Sequence, residues 1–286
     1  MLPVLLATCA DLPAGDEDAP ALTAALADAG LDARWAVWSD PEVTWDAALV
    51  VLRSTWDYHA KRDDFLRWVD SVPRLHNAAD VVRWNTDKTY LRDLAAAGVP
   101  TVPSSFAAPG DEPALPDADE IVVKPSVGAG SRGAGRFARA AGEQALAHAA
   151  ELQAAGRTVV VQPFLAGVDT TGETALLYFD GAFSHAIRKG PMLRPDFVHP
   201  VDGPSLYVEE NITARTPEPA ELAVGEAALA AMQDRFGGRP LYARVDLLPT
   251  PDGPLVTELE LTEPSAFLGH DDAAPARFAA AVAARA

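Results

Sequence analysis

The chain has 286 residues, 49% of them hydrophobic, a formal net charge of -18 and a single cysteine. That composition supports a buried core in two or three lobes, and the acidic balance, with no basic cluster to offset it, excludes a polyanionic nucleic-acid partner. Cys9 permits neither an internal disulfide nor a cysteine metal cluster, the six histidines lack metal-ligand spacing, and no apolar run approaches the roughly eighteen residues of a membrane span.

The opening Met1-Leu-Pro-Val-Leu-Leu-Ala7 lacks the basic start and long apolar run of a secretory signal, so the expected compartment is the cytoplasm, away from any membrane. Residues 4–8 read as a strand, 20–30 as a helix with Leu22, Leu26 and Ala29 on its apolar side, and 33–38 as a second strand, together a βαβ unit. A third strand, 47–52, ends in Arg53-Ser-Thr-Trp-Asp-Tyr58, and polar residues at the carboxyl end of such a strand sit where open α/β sheets bind ligands. Arg53, Trp56 and Asp57 are therefore substrate candidates, Arg53 because its planar fork suits a carboxylate.

A helix over Trp84–Gly98 is expected, capped by Asn85 or Thr86, with Lys88 in its first turn. A cation there is opposed by the helix dipole unless an anion offsets it. After a Pro- and acid-rich connector at 108–120, the strand 121–125 places Lys124 beside the glycine-rich loop 126–135, a pairing suited to phosphate. Gly128, Gly130 and Gly133 fit G-x-G-x-x-G, but the following Arg136-Phe-Ala-Arg139 does not open a helix, which disfavours a dinucleotide fold and a nicotinamide oxidoreductase. A helix at 142–155 precedes Thr158-Val-Val-Val-Gln-Pro-Phe-Leu165, a strand whose pairing Pro163 is expected to interrupt, leaving the backbone of residues 162–165 free to read an adenine. Residues 172–189 form a hairpin about Asp180-Gly181 ending in Arg188 and Lys189, and 217–236 an amphipathic helix.

The last hairpin, 241–248 and 254–261, carries Arg244-Val-Asp246 and Glu258-Leu-Glu260, and one antiparallel register turns all four charged side chains to one spot. Three carboxylates so placed repel one another unless a hard divalent cation lies between them, and magnesium is the natural candidate.

In order, Lys88, Lys124, the glycine-rich loop, Val159-Val-Val-Gln-Pro-Phe-Leu165, Gly172-Glu173, Arg188-Lys189, Arg244-x-Asp246 and Glu258-x-Glu260 resemble the ATP-grasp ligases over about residues 80–270. The combination of Arg53-Ser-Thr-Trp-Asp-Tyr58 with Trp84-Asn-x-Asp-Lys88 is similar to the branch holding the O-ureido-serine cyclo-ligase of cycloserine biosynthesis. The resemblance implies an α/β (α+β) ATP-grasp fold: an N-terminal pre-ATP-grasp domain at 1–80, a small subdomain with the glycine-rich lid at 81–160, and a C-terminal subdomain with the metal site at 161–286. It implies ATP held by Lys88, Lys124, Gln162, Pro163, Phe164, Leu165, Asp169 (at the ribose) and Glu173, with Arg244, Arg188 and Lys189 at the transferred phosphoryl group. Magnesium, or manganese, would sit on Asp246, Glu258 and Glu260, where Glu260 replaces the family's usual asparagine, and Ser265 joins the substrate set. The implied reaction activates a small-molecule carboxylate as an acyl phosphate for attack by an amine, with an amino-acid derivative that cyclises among its options. A phosphotransferase or a nonenzymatic nucleotide-binding protein is the competing class. Oligomeric state stays open, a homodimer included.

Overall fold

The structure is a computed structural model that describes residues 3–200 and 211–286. It contains three sheets, each packed by its own helices. The first begins as expected. β1 (Val4–Thr8), α1 (Ala19–Asp28) and β2 (Ala33–Val37) form a parallel βαβ unit, extended by β3 (Leu49–Leu52) and β4 (Leu75–His76) in the order β2-β1-β3-β4. Every residue of β3 is buried, as a parallel strand covered on both faces requires. α2 (Arg62–Ser71) buries Phe65, Leu66 and Val69 against it, with Trp38 meeting Phe65 edge-on.

The helix expected over 84–98 starts later, as α4 (Tyr90–Ala96), and is preceded by a separate helix, α3 (Ala79–Asn85), so Lys88 lies in the turn between them. The break has a cause in long-range bonding: the buried Asn85 amide donates to Leu259 O at 2.6 Å and its carbonyl accepts from Leu261 N at 2.7 Å. Asn85, the last residue of α3, therefore caps no helix start, and neither does Thr86, since the N-cap of α4 is Thr89. Gly98, at φ +84, terminates α4 as its residue type requires.

β5 (Ser105–Ala107), β6 (Glu120–Pro125), β7 (Gly135–Ala138) and β8 (Val159–Pro163) build a second, antiparallel sheet covered by α5 (Gly142–Ala154). The antiparallel β6–β7 pair disposes of the dinucleotide reading, which needs a strand opening into a helix. Pro163 does not interrupt β8 on the β6 side: Ile121 still faces Pro163, and Phe164 N donates to Glu120 O at 2.8 Å. On the other side, pairing with β5 ends at Ser105 and Val161, because β5 stops there.

After the short α6 (Gly167–Thr171), β9 (Glu173–Phe179) and β10 (Ala182–Lys189) start the third sheet, with Asp180 at φ 48 and Gly181 at φ 75 forming the tight turn. β11 (Phe197–Val198) returns to pair with β7, β12 (Ile212–Arg215) edges the third sheet, and α7 (Pro219–Phe236) covers it. β13 (Tyr242–Leu248) and β14 (Leu255–Glu260) complete the order β12-β10-β9-β13-β14. α8 (Ala274–Ala283) then packs back on the first lobe, where Phe278 shares a core with Leu22 and Leu26, and Phe278 also stacks at 4.5 Å on Phe179 of β9 in the third sheet. Sheet membership thus crosses the expected divisions: β8 straddles residue 160, and the C-terminal helix belongs to the N-terminal core.

Candidate active site

One cavity of about 1140 Å³ opens between the sheets, and the antiparallel register of β13 and β14 determines what faces it. Arg244 is opposite Glu260 and Asp246 opposite Glu258, and all four line the cavity. Asp246 is almost wholly buried and accepts from Arg244 Nε and Nη2, both at 2.9 Å, and from Lys189 Nζ at 2.8 Å. Arg244 also pairs with Glu260, and Lys189 with Glu173. Glu258 faces Lys124 Nζ at 3.1 Å and Lys88 Nζ at 3.8 Å. Lys88 donates to Gly128 O at 2.9 Å and, through its backbone, to Ser126 O at 2.8 Å, which ties it to the glycine-rich loop.

Five cations, Lys88, Lys124, Arg132, Lys189 and Arg244, therefore line the cavity with eight carboxylates, Asp246, Glu258, Glu260, Glu173 and Glu263 together with Asp16, Glu17 and Asp18, three carboxylates in excess. The pKa shifts follow that imbalance. Burial pushes Asp246 up, but Arg244 and Lys189 outweigh it and hold the group at about 2. For Glu258, Lys88 and Lys124 likewise overcome burial and lower it. Burial, opposed too weakly by Lys189 for Glu173 and by Arg244 for Glu260, lifts both to about 7. Glu263 rises to about 8 through burial and the Glu260 charge. Among the described residues no three His, Cys, Asp or Glu side chains are gathered into a metal-ligating arrangement, because lysines and arginines stand between the carboxylates.

Of the other expected residues, Pro163, Phe164, Leu165 and Gln162 line the cavity, with the Gln162 amide donating to Ser104 Oγ at 2.8 Å. Asp169 is not on its wall. It accepts from both Nη atoms of Arg136 at 3.0 and 2.9 Å, while that guanidinium also chelates Glu120 and lies 3.4 Å over the Phe164 ring. Asp169 is thus engaged by Arg136 away from the cavity wall. Arg188 is turned away too: its Nε donates to Thr171 O, as alternation on β10 dictates once Lys189 faces inward.

Trp56 and Ser265 line the cavity, and the indole N–H of Trp56 donates to Glu263 O at 2.9 Å. Arg53 and Asp57 do not. Arg53 is completely buried beneath the wall, donating to Pro264 O at 3.1 Å, so it cannot touch a substrate carboxylate. Asp57 accepts from Trp38 Nε1 at 2.7 Å and is occupied in packing. The sequence reading missed Glu263, although Glu258-x-Glu260-x-x-Glu263 continues one acidic run, and it passed over Asp16 and Asp18.

Residues 4–77 match the family described as D-cycloserine synthetase DcsG, N-terminal domain. Over 286 residues the chain is 41% identical to the cycloserine biosynthesis protein DcsG of Streptomyces lavendulae, covering 94% of each. It is similar to the crystal structure of D-cycloserine synthetase DcsG at TM-score 0.89 and 39% identity, over 99% of both chains. The D-alanine–D-alanine ligase of Bacillus anthracis shares the fold at TM-score 0.67 and 15% identity, over 99% of this chain and 95% of that one.

Proposed function

This chain belongs to the DcsG family of ATP-grasp ligases, and from that premise we propose that it closes a ring on a serine-derived amino acid, by phosphorylating its carboxylate with ATP for attack by a nitrogen of the same molecule. The observation that carries the reading is the convergence of Lys88, Lys124, Lys189 and Arg244 on Asp246, Glu258 and Glu260 in one cavity.

Phosphoryl transfer needs little covalent chemistry from a protein; positioning and charge neutralisation dominate. Lys88 and Lys124 fit the ATP phosphates, since both lie beside the glycine-rich loop. In that loop Gly130 at φ 60 and Gly133 at φ 70 adopt conformations that bring backbone N–H groups toward an anion. The edge of β8 left by β5, with Phe164 and Leu165, suits an adenine. Lys189 and Arg244 are placed to hold the transferred phosphoryl oxygens and the carboxylate that receives them. Closure of residues 126–135 over the cavity would keep water from the acyl phosphate. Phosphate then leaves as the substrate nitrogen takes its place on the acyl carbon.

The donor set also fits magnesium, with manganese as a substitute: every candidate ligand is an oxygen, and a divalent cation would compensate the excess of carboxylates on the cavity wall. Asp246, Glu258 and Glu260 would hold the ion, which supplies charge neutralisation at the phosphates. No described helix is long and apolar enough to cross a membrane, in keeping with work on small cytoplasmic metabolites.

Calorimetric titration with a nonhydrolysable ATP analogue, with and without magnesium, tests the nucleotide site. Magnesium-dependent binding is expected, and no binding at millimolar analogue by folded protein would remove the basis of the reading.

A further inference from the structure

The nucleotide base is assigned to the end of β8, and a buried arginine stands beside that strand end without a role in the reaction above. Arg136, on β7, is 4% exposed and spends its donors inside the protein. Nε and Nη2 donate to Glu120 Oε1 and Oε2 at 2.8 and 2.6 Å, Nη1 and Nη2 to Asp169 Oδ1 and Oδ2 at 3.0 and 2.9 Å, and Nη1 also to Leu193 O at 3.2 Å. These five bonds match the five N–H groups of a guanidinium, so none is left for a ligand. Burial opposes the charge of the group, but Glu120 and Asp169 outweigh it and raise the pKa of Arg136.

What this fixed plane covers is an aromatic ring of the cavity. Cζ of Arg136 stands 3.4 Å from the centroid of Phe164, which lines the cavity together with Gln162, Pro163 and Leu165. The backbone of Phe164 is held by the same partner, its N donating to Glu120 O at 2.8 Å. Glu120, Arg136 and Phe164 therefore form a closed ring of contacts, and Asp169 of α6 grips the guanidinium from a second element. A side chain that must be immobilised when a ligand arrives weakens binding by the ordering it loses, and one already immobilised does not.

We propose that Arg136 is a positioning residue for the nucleotide: by covering a face of Phe164 it presets the aromatic wall of the base site, and so sets the affinity for ATP without touching it. This assignment rests on the nucleotide part of the ligase reading and deepens it. Lysine cannot take the place of Arg136, because an ammonium has neither a plane to cover a ring nor a fork to engage two carboxylates at once. The cations assigned to the phosphates and to the acid, Lys88, Lys124, Lys189 and Arg244, pair instead with Glu258, Asp246, Glu173 and Glu260. A change at Arg136 is therefore felt at the base and spares the acid.

The test measures ADP affinity by calorimetry in the presence of magnesium for wild type, Arg136→Lys, Phe164→Leu and the double variant, with the KM for ATP and for O-ureido-serine from steady-state ADP release. Arg136→Lys should weaken ADP binding about 10-fold, through loss of the cation over the ring and of the preset side chain. The KM for ATP should rise by a similar factor and the KM for O-ureido-serine should not. In the Phe164→Leu background the same substitution should cost less than about 2-fold, since the ring through which it acts is gone. Unaltered ADP affinity in Arg136→Lys, equal losses for ATP and O-ureido-serine, or effects that simply add in the double variant would overturn the assignment. Should Arg136→Lys fail to fold, Glu120→Gln is read in its place with the same pattern expected, and failure of both to fold makes the cluster a folding element and overturns it. Failure of the ligase reading looks different: ADP binding without turnover on O-ureido-serine contradicts that reading and leaves the calorimetric cycle to decide on Arg136, whereas a wild type that binds no ADP removes the nucleotide site and the assignment with it.

Discussion

Among the described residues Glu258 is met by two lysines, Lys124 and Lys88, whereas Asp246 is fixed by three charged donors from Arg244 and Lys189. Glu258→Gln should therefore leave the fold intact and cost about 10²- to 10³-fold in turnover, the usual effect of removing an electrostatic stabiliser of a transition state. Steady-state ADP release checks this, and near-normal activity would contradict the metal assignment. The raised carboxyls make a second prediction. Glu173 at about 7 and Glu263 at about 8 hold protons that the unfolded chain releases near 4.5, so ligand-free stability falls as pH rises through that interval. Asp246, at about 2 against an ordinary 3.8, acts oppositely and withdraws stability as pH drops below 3.8. Tm of the ligand-free protein should peak near pH 4 to 5 and decline toward pH 8, with magnesium and ADP reducing the decline; a Tm that rises from pH 5 to 8 contradicts the buried-acid picture. The four residues of the acidic hairpin were readable because strand alternation alone fixes their face. Arg53 and Asp57 were misplaced because side chains beyond a strand end turn toward partners elsewhere in the chain, Pro264 and Trp38, and Arg188 because alternation lets only one of two adjacent residues, here Lys189, face inward.

Between elements, two asparagines and one glycine carry more than their local sequence suggests. Asn85 bonds Leu259 O, Leu261 N and the Thr262 hydroxyl, fastening the turn that bears Lys88 to the strand that bears Glu258. Asn77 does the same for Tyr242 O, Leu261 O and Leu241 N. Asn85→Ala leaves buried partners unmet and should lower stability by on the order of 3 kcal/mol in chemical denaturation, with turnover falling as well; a change under about 1 kcal/mol would mean that the turn holds without it. Gly225 sits where α7 crosses β9, and an added Cβ would stand 2.3 Å from the Tyr178 hydroxyl and 2.6 Å from Leu176 Cδ1. Gly225→Ala should cost about 1–3 kcal/mol by overpacking, although alanine is the better helix former. Periodicity placed β1, α1, β9, β10, α7, β13 and β14 because each shows a regular apolar pattern bounded by turn residues. It passed over α3 and began α4 too early, because Asn85, read as a cap, satisfies its amide some 174 positions away.

For the whole molecule, the three sheets surround one large cavity, with the first lobe and its docked C-terminal helix forming the wall that holds Asp16. The ordered series of weak motifs was legible because an ATP-grasp site takes one or two residues from each of several elements. The return of α8 to the N-terminal core was not, since an alanine-rich amphipathic helix does not announce which face of the fold it covers. The central claim, transfer of phosphate from ATP to a substrate carboxylate in this cavity, is tested most directly by isotope transfer. With O-ureido-serine labelled in its carboxylate by ¹⁸O, the inorganic phosphate released should carry one ¹⁸O atom per turnover. Phosphate released without label, at the same rate as ADP, would contradict an acyl phosphate and with it the account of the site.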